Sequence, residues 1–114
     1  MILNDIVHQL DLDVFSGSSQ LIREVRCGYV SDILSDVMAK SPKTALWITN
    51  QTHENILAMV YFKGLSGVIL PEGLSLEDCA MQKALEKDIP VLCSQQTAFD
   101  LAGQLYSLGL RGSF

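Results

Sequence analysis

The sequence contains few of the residues that build most reactive and metal-binding sites. Among 114 residues there are 3 cysteines and 2 histidines. The cysteines are odd in number and form no Cys-x-x-Cys pair, so neither a disulfide framework nor a zinc or iron–sulfur site is expected. The histidines, His8 and His53, lie far apart along the chain. We therefore predict free thiols in a reducing compartment, no metal and no cofactor.

Charged residues are also scarce, and the basic ones form no run. Lys and Arg number 8 against 13 Asp and Glu, which gives a formal net charge of −5. A nucleic-acid-binding protein needs a basic patch to displace counterions from phosphates, and an acidic surface is repelled by anionic lipid. The longest apolar runs are too short to span a membrane, and the N-terminus lacks a signal-peptide pattern. We expect a cytoplasmic protein that binds neither nucleic acid nor membrane.

The remaining composition is that of one folded domain. Apolar residues make up 48% of the chain and charged residues 18%, a balance that excludes disorder over most of its length. From residue 45 onward, strand-like apolar segments alternate with amphipathic helical segments. The strands are predicted at 45–49, 67–70 and 91–94, and the helices near 54–63, 76–87 and 97–108. This order is typical of parallel strands joined by helices.

The first half of the chain is less regular. Residues 3–10 predict a helix, and residues 12–15 and 25–30 predict two strands that lie at a sheet edge or run antiparallel. Ser31 is a candidate cap of the next helix, with Asp32 in its first turn. The predicted fold is three-layer α/β, a mostly parallel sheet of about five strands with helices on both faces. We expect a single domain over residues 1–110 and a loose tail over 111–114.

Polar segments follow the predicted strands and directly precede helices. The carboxyl ends of parallel strands meet at one sheet edge, where ligands bind, and helix N-termini there attract anions. The candidate ligand-binding residues are Ser31, Asp32, Asn50, Gln51, Thr52, His53, Glu72, Gly73, Ser94 and Thr97. Capping of each helix by its own loop explains any single segment equally well. A ligand pocket and a polar network that fixes the loops against each other are therefore both open.

Sequence signatures of catalysis are missing. There is no Gly-x-Gly-x-x-Gly, no phosphate-binding Gly-x-x-x-x-Gly-Lys-Ser/Thr and no Gly-x-Ser-x-Gly nucleophile elbow. His53 could act with Asp32 or Glu72, but no nucleophile is expected beside it, which favours a hydrogen-bonded loop histidine. Trp47 and Tyr61 are predicted to be core residues rather than a platform for bases.

Two segments resemble a known family. Residues 23–38 read Arg-Glu-Val-Arg-Cys-Gly-Tyr-Val-Ser-Asp-Ile-Leu-Ser-Asp-Val-Met and are similar to the central signature of the DRTGG domain family. Residues 47–55, Trp-Ile-Thr-Asn-Gln-Thr-His-Glu-Asn, resemble its second signature, Trp-Ile-Thr-x-Gln-Thr-His-x-Asn. Residues 89–102 also look like the family, so the resemblance covers essentially the whole chain.

The resemblance implies a small α/β regulatory or dimerisation domain without catalytic activity of its own. Its fold would be similar to the N-terminal domain of HPr kinase/phosphorylase and to the DRTGG insert of CBS-domain pyrophosphatases. Stand-alone copies are often encoded near hydrogenase or iron–sulfur electron-transfer proteins. The resemblance therefore implies a partner protein from one of those systems. Two departures matter: Cys27-Gly28 stands where the family has Gly-Gly, and Pro71-Glu72-Gly73 replaces a Thr-Gly-Gly-like turn. Pro71 removes a donor and Glu72 adds repulsion, which argues against a phosphate at that loop.

The functional expectation is a homodimeric, non-catalytic regulatory module that senses a small nucleotide-like or anionic ligand and acts through a partner protein. The alternative is a dimerisation or interaction scaffold without a ligand. A third hypothesis is a small enzyme that uses His53 with Asp32. The candidate dimer helices are the one with Ile33, Val37 and Met38 and the one with Ile56, Met59 and Tyr61, because small apolar-rich chains must cover exposed apolar faces.

Overall fold

Strands and helices alternate along the chain, and the computed structural model describes residues 1–113. The elements are α1 (Leu3–Leu10), β1 (Asp13–Ser16), a 3₁₀ turn (Ser18–Gln20), β2 (Cys27–Val30), α2 (Leu34–Lys40), β3 (Ala45–Ile48), α3 (Asn55–Lys63), β4 (Gly67–Leu70), α4 (Asp78–Glu86), β5 (Val91–Cys93) and α5 (Ala98–Ser107). The helices and strands predicted from residue 45 onward are confirmed, with shifts of one or two residues at their ends.

One sheet contains all five strands of the described residues, in the order β1-β5-β4-β3-β2. The pairs β2–β3, β3–β4 and β4–β5 are parallel, and β1 joins β5 antiparallel with a register shift between Val14 and Ser16. The mostly parallel α/β sheet is therefore confirmed. The two irregular strands of the first half take opposite edges, β1 antiparallel and β2 parallel.

Helices cover both faces of this sheet. Along β3, Ala45 and Trp47 belong to one buried cluster with side chains of α2, α3 and α4, and Leu46 and Ile48 belong to a second cluster with side chains of α1 and α5. No β3 side chain is more than 1% exposed. A strand buried on both faces needs apolar residues at successive positions, which explains the unbroken apolar run of β3. The predicted three-layer architecture follows.

The helix after β2 starts later than predicted. Ser31 was expected to cap it with Asp32 in its first turn, but α2 begins at Leu34 after Ile33, which makes no side-chain cap. Ser31 Oγ instead accepts the Ile33 N–H at 3.1 Å. The Asp32 carboxylate faces the next loop, where it accepts hydrogen bonds from the Thr49 hydroxyl and the Asn50 N–H.

Of the later helices, α3 has no side-chain cap at its N-terminus and α5 has one. Thr52 does not cap α3, which begins at Asn55, whereas the Thr97 hydroxyl caps α5 by accepting the Asp100 N–H at 3.2 Å. Gly64 ends α3 in the left-handed region, which glycine adopts without strain. Of the predicted tail, Phe114 lies outside the described residues. Arg111 packs on Tyr106, with its guanidinium carbon 3.7 Å from the ring centroid.

The thiols, possible metal sites and possible membrane-spanning helices can be assessed over the described residues. Cys27, Cys79 and Cys93 are free thiols, and burial raises the pKa of Cys27. Residues 1–113 hold no cluster of His, Cys, Asp and Glu arranged to bind a metal ion. Over the same residues, every helix is too short or too polar to cross a bilayer.

Gly17 provides a stability test of the turn between β1 and the 3₁₀ segment. Its φ is +83°, and a Cβ there would overlap the Pro90 backbone. Gly17→Ala should destabilise the protein by at least about 2 kcal/mol, since left-handed φ and overpacking are both unfavourable. Gly103→Ala, in an open position on α5, should stabilise it by about 0.5–1 kcal/mol. Urea unfolding measures both, and equal stability of the two variants would contradict this turn geometry.

Candidate functional site

Asp32 is the centre of a hydrogen-bond network beyond the ends of β2 and β3. Its carboxylate accepts the Thr49 hydroxyl at 2.9 Å and, from Asn50, the backbone N–H at 2.7 Å and the side-chain amide at 3.2 Å. The Asp32 carbonyl accepts the Gln51 side-chain amide at 2.9 Å. The loop after β2 is thereby joined to the loop after β3.

This network is anchored in the core by Trp47. The indole Nε1 donates to the Ser31 carbonyl at 2.8 Å while the ring is fully buried, which confirms Trp47 as a core residue. Thr49, only 2% exposed, accepts the Gln51 backbone N–H at 3.2 Å through its hydroxyl. Buried polar groups are costly without partners, and the buried Trp47 and Thr49 groups both have one, whereas Asp32, Asn50 and Gln51 are exposed to solvent. The structure therefore has the polar network that the sequence left as one of two alternatives.

A separate group forms beyond β4 and β5. The Glu72 N–H donates to the Gln96 carbonyl and the Gly73 N–H to the Ser94 carbonyl, each at 2.8 Å. Glu72 and Gly73 have left-handed φ values of 58° and 71°. The backbone donors that could have met a phosphate at this turn are thus already used. Whether Glu72 and Gly73 bind a ligand stays a prediction.

Thr52 and His53 join neither group through their side chains. The Thr52 carbonyl accepts the Glu77 N–H at 3.0 Å, and His53 Nδ1 accepts the Asn55 N–H at 3.1 Å. Within residues 1–113, no hydrogen bond connects His53 to Asp32 or Glu72. His53 therefore makes the kind of local hydrogen bond expected of a loop histidine. In the described residues it forms no acid–base pair with Asp32 or Glu72.

The cavity at the strand ends is small. Its volume is about 140 Å³, and Ser31, Asp32 and Asn50 are the predicted site residues that line it. Sites for nucleotides or drug-sized ligands usually measure about 300–1,000 Å³. The Asp32 carboxylate also gives this wall a negative charge. The predicted surface is therefore brought together in part, as Ser31, Asp32, Asn50 and Gln51, and its capacity for a ligand stays a prediction.

A larger groove, which sequence reasoning missed, lies between α3 and α4. Its volume is about 510 Å³, and Tyr61 and Phe62 form its aromatic wall. Tyr61 is 72% and Phe62 75% exposed, with ring centroids 5.3 Å apart in an edge-to-face arrangement. The prediction of Tyr61 as a core residue is wrong, because Ile56, Leu57 and Val60 already fill the face of α3 that meets the sheet. Two large adjacent aromatics could have signalled this, since neighbouring helical residues cannot share one narrow face.

Basic side chains surround the same groove. Lys83 of α4 bonds Glu54 before α3 at 2.8 Å, which lowers the pKa of Glu54 and raises that of Lys83. Lys87 makes no ion pair within residues 1–113 and also lines an adjoining cavity of about 430 Å³ together with Arg23 and Asp88. The fold therefore places Arg23 of the first half in a cavity that Lys87 also lines. We define the α3–α4 groove as Tyr61, Phe62, Lys83 and Lys87, with Glu54 also lining it and Arg23 in the adjoining cavity.

Near Ser31, a second polar contact joins β2 to α2. The Tyr29 hydroxyl donates to Asp36 Oδ2 at 2.8 Å, and Lys40 Nζ lies 3.5 Å from Asp36 Oδ1. The Tyr29 hydrogen bond is the main reason that the pKa of Asp36 lies below its usual value, with Ser31 and Lys40 adding smaller effects. This contact fixes the start of α2 against the edge strand.

Comparisons with known proteins concern the fold. No family model and no curated protein sequence matches the chain. A crystal structure of the CBS and DRTGG domains from the regulatory region of Clostridium perfringens pyrophosphatase, complexed with the activator diadenosine tetraphosphate, matches with a TM-score of 0.71 at 13% identity. The match covers 91% of this chain and 45% of that one, so this chain corresponds to about half of its neighbour. The DRTGG-like fold is therefore confirmed.

Asp32→Ala tests whether the strand-end network supports the fold. It leaves the hydroxyl of the buried Thr49 without an acceptor, while water can replace Asp32 at the exposed Asn50 N–H, and the free energy of unfolding should fall by about 1–3 kcal/mol. Glu72→Ala removes an exposed carboxylate without a side-chain hydrogen bond in the described residues, and its effect should stay within about 0.5 kcal/mol. Chemical denaturation at neutral pH compares them. Equal losses would show that the Asp32 contacts contribute nothing specific.

Tyr29→Phe should raise the pKa of Asp36 toward its ordinary value, measured by NMR titration of the carboxyl group. Because the folded-state pKa of Asp36 is lowered, its stabilising contribution is present above the unfolded pKa and disappears as pH falls through the folded one. The stability difference between wild type and Tyr29→Phe should therefore shrink in acid. Lys40→Ala should move the pKa less, since Tyr29 has the larger effect; the reverse order would refute this assignment.

Proposed function

We propose that this protein is a non-catalytic regulatory module that responds to a nucleotide-like anionic ligand and acts through a partner protein. The observation that carries the proposal is the shared fold with a regulatory region crystallised with a nucleotide activator. At 13% identity this is a likeness of fold, so the ligand chemistry must be argued from the residues of this chain.

The α3–α4 groove has the chemistry for such a ligand. Exposed aromatic rings such as Tyr61 and Phe62 offer a face on which a base stacks, and lysine and arginine side chains neutralise phosphates. Tyr61 and Lys87 line both this groove and the adjoining cavity of about 430 Å³ that Arg23 lines, and Lys87 is free of an ion pair in the described chain. The volume of about 510 Å³ also falls in the usual range for ligand sites.

The strand-end surface is the second location for this ligand. The free helix N-termini that attract anions are offset there by the Asp32 carboxylate, and the backbone donors of Glu72 and Gly73 are occupied by the loop after β5. The cavity of about 140 Å³ would admit one small group rather than a nucleotide. We therefore place the ligand in the α3–α4 groove and assign the strand-end network a positioning role.

The second candidate function is a homodimeric scaffold without a ligand. The observation that favours it is the amount of exposed apolar surface: Ile22, Ile33 and Phe99 are 81%, 64% and 86% exposed. Of the residues expected to form a dimer contact, Val37, Ile56 and Met59 are buried in the core, and Ile33, Met38 and Tyr61 are exposed. The family resemblance implies a partner protein from hydrogenase or iron–sulfur electron-transfer systems. Such a partner is compatible with both the ligand-responsive module and the homodimeric scaffold.

Diadenosine tetraphosphate, ATP and inorganic phosphate are the probes for the ligand. At saturating concentration the two nucleotides should raise the Tm, because a ligand that binds only the folded state stabilises it. Phosphate alone should have little effect, since it cannot use the aromatic wall. Calorimetry on the wild type provides the affinity.

Charge reversal then locates the site. Lys87→Glu should abolish the nucleotide-induced shift, whereas Lys40→Glu, an equal change of charge on α2, should preserve it. Loss of the shift in Gln51→Ala with retention in Lys87→Glu would instead place the ligand at the strand ends. No shift with any probe, together with a concentration-dependent dimer in sedimentation, would favour the scaffold. Turnover that is lost in His53→Ala would be required for the enzyme hypothesis.

A further inference from the structure

We propose that the groove between β2 and α5 is a docking site for an extended, carboxylate-bearing peptide segment of a partner protein, which adds to the sheet beside β2. This deepens the proposed function by naming the surface through which the module meets its partner, and it rests on that function only for the existence of a partner. Peptide binding is measured without any nucleotide, so the two proposals can fail separately.

The groove is open, apolar and separate from the α3–α4 groove. It has a volume of about 310 Å³, and its floor includes Gly28, Val30 and Ile48 on the face of the sheet that α5 covers. Ala102 and Tyr106 of α5 form the facing wall. Val30 is 56% and Tyr106 60% exposed, so apolar side chains at its mouth are left uncovered. Apolar side chains of a ligand would find complementary walls here.

The edge strand supplies backbone hydrogen bonds. β2 is the last strand of the sheet, and only its β3 side is paired with another strand. On the outer side, the Gly28 N–H already donates to the Arg111 carbonyl at 2.9 Å. Outward N–H groups recur at every second residue, which places the Val30 N–H on the same side, without a backbone acceptor outside the sheet in residues 1–113. Over residues 1–113, the outer edge of β2 is paired with the Arg111 segment at the Gly28 end and has no backbone partner at the Val30 end.

Arg111 determines the charge of the occupant. Among the residues of 1–113 that line the groove, it is the one with a charged side chain. Its Nη1 donates to the carbonyls of Tyr106 and Leu110 at 3.1 and 2.9 Å, and the guanidinium lies over the Tyr106 ring. A guanidinium has further N–H donors in a fixed plane, and a carboxylate is the acceptor that matches them. An acidic side chain or a C-terminal carboxylate therefore fits this end of the groove.

A short peptide fits this edge better than a second copy of β2. Symmetric pairing of two β2 strands needs the whole outer edge of each strand, and the segment at Arg111 already occupies the Gly28 end. A peptide needs only the Val30 end and the adjoining groove. Strand addition at an exposed edge, with alternate side chains in pockets, is a recurrent mode of peptide recognition.

The test uses a phage-displayed library of random nine-residue peptides selected against the full chain. Selection should enrich peptides with alternating apolar residues and an acidic group, and fluorescence polarisation should show saturable binding of the enriched peptide. Arg111→Glu should weaken it by about tenfold or more, since hydrogen bonds to charged groups are worth about 1.5–3 kcal/mol. Lys40→Glu, the same charge change on α2, should leave the affinity within about twofold.

A matched pair on α5 tests the groove itself. Ala102→Glu places a carboxylate in the wall and should abolish peptide binding, whereas Gly103→Glu adds the same side chain at an open position and should preserve it. Thermal melting verifies that each variant is folded, and amide NMR shifts on peptide addition should centre on Val30. The proposal is overturned if no peptide is enriched, if Ala102→Glu folds and binds normally, or if the wild type forms a dimer that Ala102→Glu disrupts.

Discussion

Burial of β3 and β4 on both faces is the constraint on which the rest of the structure depends. All four residues of each strand are buried, so each strand needs a helical layer above it and another below. The parallel connections provide these layers, and they bring every loop that follows a parallel strand to the same edge of the sheet. Trp47 connects the buried β3 strand to the strand-end loops, because its buried indole N–H donates to the Ser31 carbonyl and so holds the loop that carries Asp32.

The polar groups at that edge bind mainly one another. Asp32 accepts three hydrogen bonds from Thr49 and Asn50, and the loop after β4 donates its backbone N–H groups to the loop after β5. Such pairing makes the carboxyl edge rigid and leaves little unsatisfied polarity for a ligand. Unpaired charge and uncovered aromatic surface occur elsewhere, at Lys87, Tyr61 and Phe62 and at the β2 edge. The polar groups that hold the strand-end loops together are therefore different from the groups that carry the two binding proposals.

Sequence reasoning succeeded where local pattern and burial agree. The apolar runs of β3, β4 and β5, the periodicity of the later helices, the Thr97 cap and the glycine at the end of α3 were all predictable. Sequence reasoning failed where a side chain has possible hydrogen-bond partners both nearby and far away along the chain. Ser31 and Asp32 resemble a helix start in the sequence. In the fold, the Asp32 carboxylate instead accepts hydrogen bonds from Thr49 and Asn50, which are distant in sequence. Tyr61 was misplaced because the α3 face was filled by other residues of the same helix.

Hydrophobic periodicity over a few residues is enough to predict the class of fold and the number and order of its elements. The polar character of the strand-end loops is likewise visible in the local sequence. The assembled fold sets which polar groups pair, that β1 and β2 occupy opposite edges, and that Arg23 of the first half and Lys87, just after α4, line the same cavity. It also decided that Arg111 returns to Gly28 at the open edge. These outcomes depend on contacts between residues that are far apart along the chain, whose energies exist only once the sheet has brought them together.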